Sequence, residues 1–233
     1  MHRVRQSILL AASAALALGV ASVAEAQVPE QPGFYAGASG LWRWNWAGAQ
    51  AGPGAGLNAR PRSGPGFSGI LGFKTDSPWD YALGGGAQWH RNASSIVGAA
   101  RLDTSSRYQY VDLEAGYSMS LGGDTAIRVF GGMRGLHFNQ DAVAPAIGLQ
   151  AHRNVWGVGP RIGISGQTFF TQNVGVVGSV DGSLLAGSFS EVGTPNGSGY
   201  WRLVPVVAGE IGLQYRFADT PSLALTGGAR IDA

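Results

Sequence analysis

The sequence predicts an all-β chain, an antiparallel up-and-down transmembrane β-barrel with about nine strands visible of ten or more. Three observations predict it. Residues 108–119 alternate strictly: Val111, Leu113, Ala115, Tyr117 and Met119 share one parity, and Asp112, Glu114, Gly116 and Ser118 the other. A period of two is a strand with one apolar and one polar face. An export signal precedes such strands, and both charge signs sit mid-strand among glycines, which fits lipid outside and a polar lumen inside. The connections between strands also alternate long and short, as in outer-membrane barrels.

The compartment is read from the first 26 residues. His2, Arg3 and Arg5 form a basic start, Ile8 to Val20 is apolar, and Ala24-Glu25-Ala26 suits a signal peptidase, so the mature chain begins at Gln27. An anchor helix is the alternative, but about 13 apolar residues are too few to cross a bilayer. Residues 1–26 are therefore expected to be a signal peptide and 27–233 one outer-membrane barrel domain, with truncation expected at its C-terminus. Removing Arg3, Arg5 and Glu25 from the 16 basic and 14 acidic residues leaves 14 and 13, a net charge near +1 that argues against a nucleic-acid partner. There is no cysteine, which excludes disulfides and thiolate metal sites. The 38 glycines suit curved strands with bulges.

The strands follow in order. In the first, Phe34, Ala36, Ala38, Trp42, Trp44 and Trp46 alternate with Tyr35, Ser39, Arg43 and Asn45, and Trp42, Trp44 and Trp46 read as an interfacial aromatic girdle. The second, 67–74, is weaker. The third, 79–90, sets Tyr81, Leu83, Ala87 and Trp89 against Asp80, Gln88 and His90, and residues 108–119 are the fourth. The fifth, 125–138, breaks the rule: Phe130, Leu136 and Phe138 fall on the side of Arg128 and Arg134, which a bulge at Gly131-Gly132 would explain. The sixth, 154–167, sets Trp156, Val158, Ile162 and Ile164 against Arg161, Ser165 and Gln167; Pro160 on its lipid side removes a ladder donor. The seventh, 173–187, sets Val174, Val176, Val180 and Leu184 against Ser179, Asp181 and Ser183. The eighth, 201–217, sets Leu203, Val207, Ile211, Leu213, Tyr215 and Phe217 against Arg202, Glu210, Gln214 and Arg216. The ninth begins at Ser222, with Arg230 on its polar face.

Residues 47–66, 91–104, 139–152 and 188–200 are the long connections and 75–78, 120–124, 168–172 and 218–221 the short ones. The same parity turns Arg43, Asp112, Glu114, Arg128, Arg134, Arg161, Asp181, Glu210, Arg216 and Arg230 to the lumen, since charges are costly in lipid. Two readings stay open for them: a packed, salt-bridged interior, or a charged constriction that selects solutes. If the fourth and fifth strands form a hairpin, Asp112 and Glu114 lie beside Arg128 and Arg134.

No catalytic pattern is present. His90, His137 and His152 lack ligand spacing, there is no Gly-x-Ser-x-Gly elbow, and Gly157 to Gly163 alternates as a strand instead of opening a nucleotide loop. The expectation is no enzyme, no metal and no cofactor.

Tyr110-Val-Asp-Leu-Glu-Ala-Gly-Tyr117, Arg128 to Phe138, Val155-Trp-Gly-Val-Gly-Pro-Arg-Ile-Gly163, Ser183 to Gly187 and Val206 to Tyr215 resemble the Legionella-type major outer membrane protein family, over roughly residues 105 to 228 with an echo in Trp79-Asp80-Tyr81. The resemblance implies a pore-forming protein of the Gram-negative outer membrane and carries over no catalytic residue. The founding porins are cysteine-linked; disulfide-bonded assembly is not implied here.

The functional expectation is passive diffusion of small hydrophilic solutes through a charged lumen, with outer-membrane lipid around the barrel. The alternative is a closed structural or adhesive barrel acting through its long loops. A last expectation concerns the count. A bacterial single-chain barrel needs an even number of strands, and nine would leave unpaired edges in lipid, so at least one further inward strand is expected after Ala233. Were residues 67–74 a loop, eight strands would close instead.

Overall fold

The computed structural model describes residues 32–45, 62–97, 100–144, 149–192, 200–217 and 220–232. The signal segment 1–26 and Trp46 lie outside the described residues, as does the connection 47–61. Among the described residues nine strands follow one another: β1 (Gly33–Asn45), β2 (Arg62–Lys74), β3 (Trp79–Val97), β4 (Ala100–Gly122), β5 (Thr125–Ala144), β6 (Leu149–Phe169), β7 (Val174–Val192), β8 (Tyr200–Phe217) and β9 (Thr220–Asp232). Each pairs antiparallel with the next, and the ring closes.

The closing pair corrects the expectation of an open edge. β1 and β9 pair in parallel, from Ala36 opposite Leu223 to Asn45 opposite Asp232. In an up-and-down meander of odd count the first and last strands run the same way, so the closing ladder has to be parallel. That ladder satisfies the backbone groups that an all-antiparallel scheme leaves bare. The nine described strands close into a ring, and residues 67–74 are part of β2.

The short turns have local causes. Gly122 and Gly123 carry φ of 97° and 59°, which turns β4 into β5 at no steric cost. Thr75 donates its hydroxyl to the Trp79 carbonyl at 2.8 Å and closes the β2–β3 turn. The Asn173 side chain donates to the Arg216 carbonyl at 2.7 Å and ties the β6–β7 turn to β8.

At the other end the strands overrun the expected loops. β3 and β4 pair down to Val97 opposite Ala100, and β5 and β6 down to Ala144 opposite Leu149. Most of 91–104 and of 139–152 is strand. Polar residues there gave a loop reading, but backbone beyond the lipid still needs partners, and a hairpin supplies them. β3 to β8, of 18 to 23 residues, therefore extend further than the described β9, β1 and β2, which have 13 residues each.

The outside is an apolar belt. Leu83, Val111, Leu113, Met133, Ile162, Val180, Val207 and Ile211 all point outward and are exposed. Aromatics ring it at two heights. At the short-turn end stand Phe34, Phe73, Trp79, Tyr117, Phe170 and Tyr215, with Phe34 against Phe73 at 5.1 Å and Trp79 against Tyr117 at 5.3 Å. Toward the other end stand Trp89, Trp156 and Trp201, with Arg107 stacked on Trp89 at 5.9 Å. Trp79 and Trp89 share β3. At ~3.3 Å per residue and a tilt of ~40°, about 25 Å separates them, the height of an outer-membrane apolar band. Of the three tryptophans proposed on β1, Trp42 is outward and exposed; the side chain of Trp44 is outside the described ones. A girdle distributed in this way follows from each strand crossing each interface once.

Candidate functional site: the charged lumen

The inner parity brings one network together. Asp112 and Arg134 stand directly opposite on β4 and β5. Arg134 donates from Nε and Nη2 to the two Asp112 oxygens, both at 2.8 Å, and from Nη1 to Asp181 Oδ1 at 2.9 Å. Arg161 on β6 reaches Asp112 Oδ2 at 2.9 Å, Asp181 Oδ1 at 2.9 Å and Glu114 Oε2 at 3.4 Å. Arg230 on β9 pairs with Glu210 Oε2 at 3.3 Å and Asp181 Oδ2 at 3.6 Å. Asp181 thus touches arginines from three strands.

A second layer lies on the short-turn side. Arg128 holds Asp80 from Nη2 at 2.6 Å and from Nε at 3.0 and 3.1 Å, and approaches Glu114 at 3.5 Å. Tyr35 donates its hydroxyl to Asp80 at 3.2 Å. Glu114 joins the layers, since it meets both Arg128 and Arg161. Forked guanidinium pairs of this kind are the strong form of ion pair, and burial makes their geometry decisive.

Aromatic rings hold like charges apart. The Phe130 ring lies under Arg128 at 5.1 Å and Arg161 at 4.7 Å, and the Tyr110 ring under Arg134 at 5.0 Å and Arg230 at 5.4 Å. β4 and β9 are on opposite walls of the ring, so Tyr110 and Arg230 meet across the lumen. Phe130 and Leu136 are buried inside, and the β4–β5 register runs unbroken from Asp103 to Ser120. The bulge expected at Gly131-Gly132 is absent. The interior is a packed core in which apolar faces stack on guanidinium faces, so the arginine side of β5 accepts both.

Glycines seat these side chains. An added Cβ would strike the Arg128 guanidinium at Gly116, the Phe130 ring at Gly163, the Tyr35 ring at Gly72 and the Tyr110 ring at Gly86. This is a larger use of glycine than bulges, which mark only His90/Ala93, Ser120/Gly122 and Arg216/Phe217 among the described pairings.

Toward the long-connection end an apolar layer covers the charges. Tyr108, Tyr110, Leu136, Leu185 and Val206 form one buried cluster, joined by Phe138 and Val204. On each strand these positions lie a few residues beyond Asp112, Arg134, Asp181 or Glu210, on the same parity.

The structure places the sequence-derived lumen residues as follows. Asp112, Glu114, Arg128, Arg134, Arg161, Asp181, Glu210 and Arg230 are buried in the network. Arg216 is half-buried, stacked on Phe169 at 4.0 Å. Arg43 lies on β1 opposite Arg230, and its side chain is outside the described ones. Asp80, fully buried, is a lumen charge that the sequence reading does not include, although it shares parity with Gln88. Tyr110 and Phe130 are further additions; each stands two residues from a lumen charge, Asp112 and Arg128. The described histidines stay apart from the network: His137 meets Asn154 at 3.2 Å and His152 meets Asp141 at 2.6 Å.

The profile of the Legionella pneumophila major outer membrane protein precursor family matches residues 71–229. No curated protein matches the chain. Among solved structures, the ferric yersiniabactin uptake receptor FyuA from Yersinia pestis is similar at 13% identity and a TM-score of 0.33, over 82% of this chain and 34% of that one. The chain thus spans about a third of that receptor.

Proposed function

We propose, since this chain belongs to the Legionella major outer membrane protein family, that it is an outer-membrane barrel shut at mid-lumen. On this reading it acts as a membrane-fixed scaffold that presents the raised ends of β3 to β8. One observation carries the reading: Arg134 and Arg230, from β5 and β9, are both 0% exposed and share the Tyr110 ring at the barrel centre. A water-filled channel would have to expose the side chains that line it, and nine strands enclose little more than their own side chains. Its environment is outer-membrane lipid, and no reaction is assigned to it. Export by cleavage after Ala26 belongs to the same proposal; N-terminal sequencing of protein from outer membranes is expected to start at Gln27.

Single-channel recording of the folded full-length protein in planar bilayers tests it. Silence is expected, and discrete current steps would overturn it. The family resemblance favours a second reading, passive diffusion of small hydrophilic solutes. It requires Arg134, Arg161 and Arg230 to withdraw from the centre, and the same current steps would establish it.

A further inference from the structure

We propose that the lumen is shut by two barriers in series, each sufficient alone, and that the inner one keeps a ring of arginines from passing small inorganic anions. The inference rests on the closed-barrel reading. The outer barrier is the apolar layer of Tyr108, Leu136, Leu185 and Val206 on the long-connection side. Apart from the Tyr108 hydroxyl and the Gln88 amide opposite it, its side chains are apolar, and apolar constrictions block ions by dewetting. The inner barrier is the ion-pair layer. Its carboxylates Asp112 and Asp181 hold Arg134 and Arg161 between them, and Asp181 also reaches Arg230.

The two barriers differ in what their loss leaves behind. Truncating Leu136 and Leu185 widens the lumen above a neutralised layer, and the ion pairs still fill the centre. Removing Asp112 and Asp181 leaves three guanidiniums short of counter-charge. Buried charge without a partner draws in water and counter-ions. The apolar layer still blocks the way out on that side. Only the loss of both makes a continuous path, and its narrowest ring is cationic. Rings of Arg favour anions.

Three variants test this: Asp112→Ala with Asp181→Ala, Leu136→Ala with Leu185→Ala, and all four together. Folding is checked by circular dichroism and by the mobility shift of unheated barrels on gels. With potassium chloride as the probe, the two-site variants are expected to be silent. The four-site variant is expected to conduct, with a reversal potential of the sign for chloride under a salt gradient. Because the chain has no cysteine, Ser165→Cys, buried in the lumen on the short-turn side of Arg161, adds a second readout. A charged thiol reagent applied to intact cells should label it only in the four-site background. If the four-site protein does not fold, Asp181→Asn with Leu185→Ala takes its place under the same criteria. Current or labelling in either two-site variant overturns the series arrangement. A folded, silent combined variant, or one that passes potassium, overturns the whole inference. Current from the unaltered protein would instead overturn the closed reading on which it rests.

Discussion

On β4, Leu113 is 62% exposed, while Asp112 and Glu114 on either side of it are 1% and 4% exposed. A water-soluble sheet would show the reverse, with leucine inside and carboxylates outside. The two faces of this wall obey opposite rules because they meet opposite solvents. The outer face needs only to be apolar, and many residues serve: Leu, Val, Ile, Met and Tyr all recur there. The inner face needs specific geometry, because each charge removed from water must find its counterpart at hydrogen-bond distance. Substitutions should therefore cost according to face, even between adjacent residues.

The largest contrast is expected at Met133 and Arg134. Arg134→Ala strips two carboxylates of a buried partner, and breaking such a pair costs about 3–5 kcal/mol. Met133→Ala leaves its strand face in lipid and should cost well under half of that. Urea titration of the folded barrel in lipid vesicles measures both. Equal shifts would mean that the network adds nothing beyond side-chain volume.

That contrast also marks what was legible in the sequence. Parity alone separates Leu113 from Asp112, and a two-residue period survives whatever the barrel encloses. The short turn at Gly122-Gly123 allowed Asp112 and Glu114 to be set beside Arg128 and Arg134, because a hairpin fixes register locally; which carboxylate meets which arginine came only from the structure. Three features were not legible. The polar ends of β3 to β6 looked like loops, since composition reports the solvent and not the backbone pairing. Phe130 and Leu136 looked like an error of register, since hydropathy does not register an aromatic ring lying flat on a guanidinium. The parallel β1–β9 seam joins residues about 190 apart and leaves no local mark; only the strand count could have pointed to it.

The reverse test puts a charge on the outer face. Arg161 is held inside by three carboxylates, and Ile162 beside it is 67% exposed. Ile162→Arg should cost about 2–4 kcal/mol, the range for arginine near the bilayer midplane of a barrel. The same titration applies. A cost near zero would place Ile162 outside the lipid and overturn the position assigned to the apolar belt.

Glycines give a smaller contrast of the same kind. At Gly163 a new Cβ meets the Phe130 ring and Asp181, whereas at Gly182 on the outer side it meets nothing within 4 Å. Gly163→Ala should therefore cost about 1–3 kcal/mol through overpacking, and Gly182→Ala should be neutral or slightly stabilising. A shift in unfolding midpoint shared by both would show that backbone freedom, not the seating of Phe130, decides glycine use in this wall.

The smallest expected effect concerns Pro160, where the outer face interrupts the ladder. The Phe169 amide donates to Asp124, so odd positions of β6 face β5 and even ones face β7. Val174 accepts from Phe170, so even positions of β7 face β6. Pro160 therefore looks at Leu184 with no N–H to offer, and the β6–β7 pairing skips from Val158 opposite Ala186 to Arg161 opposite Ser183. Gly159 softens the loss. Its Cα lies so near the Leu184 carbonyl that a Cβ there would fall on the oxygen, and such C–H contacts recover about 0.5–1 kcal/mol. Pro160→Ala restores the donor. An unsatisfied group in lipid costs several kcal/mol, against which stand the lost C–H contact and about 0.4–1 kcal/mol of extra freedom in the unfolded chain. The net should be a gain of about 1 kcal/mol, read as a higher urea midpoint. Gly159→Ala in the same background should remove that gain, because its methyl displaces the Leu184 carbonyl that the restored amide needs. A Pro160→Ala midpoint at or below that of the parent would mean that the Leu184 carbonyl is already satisfied.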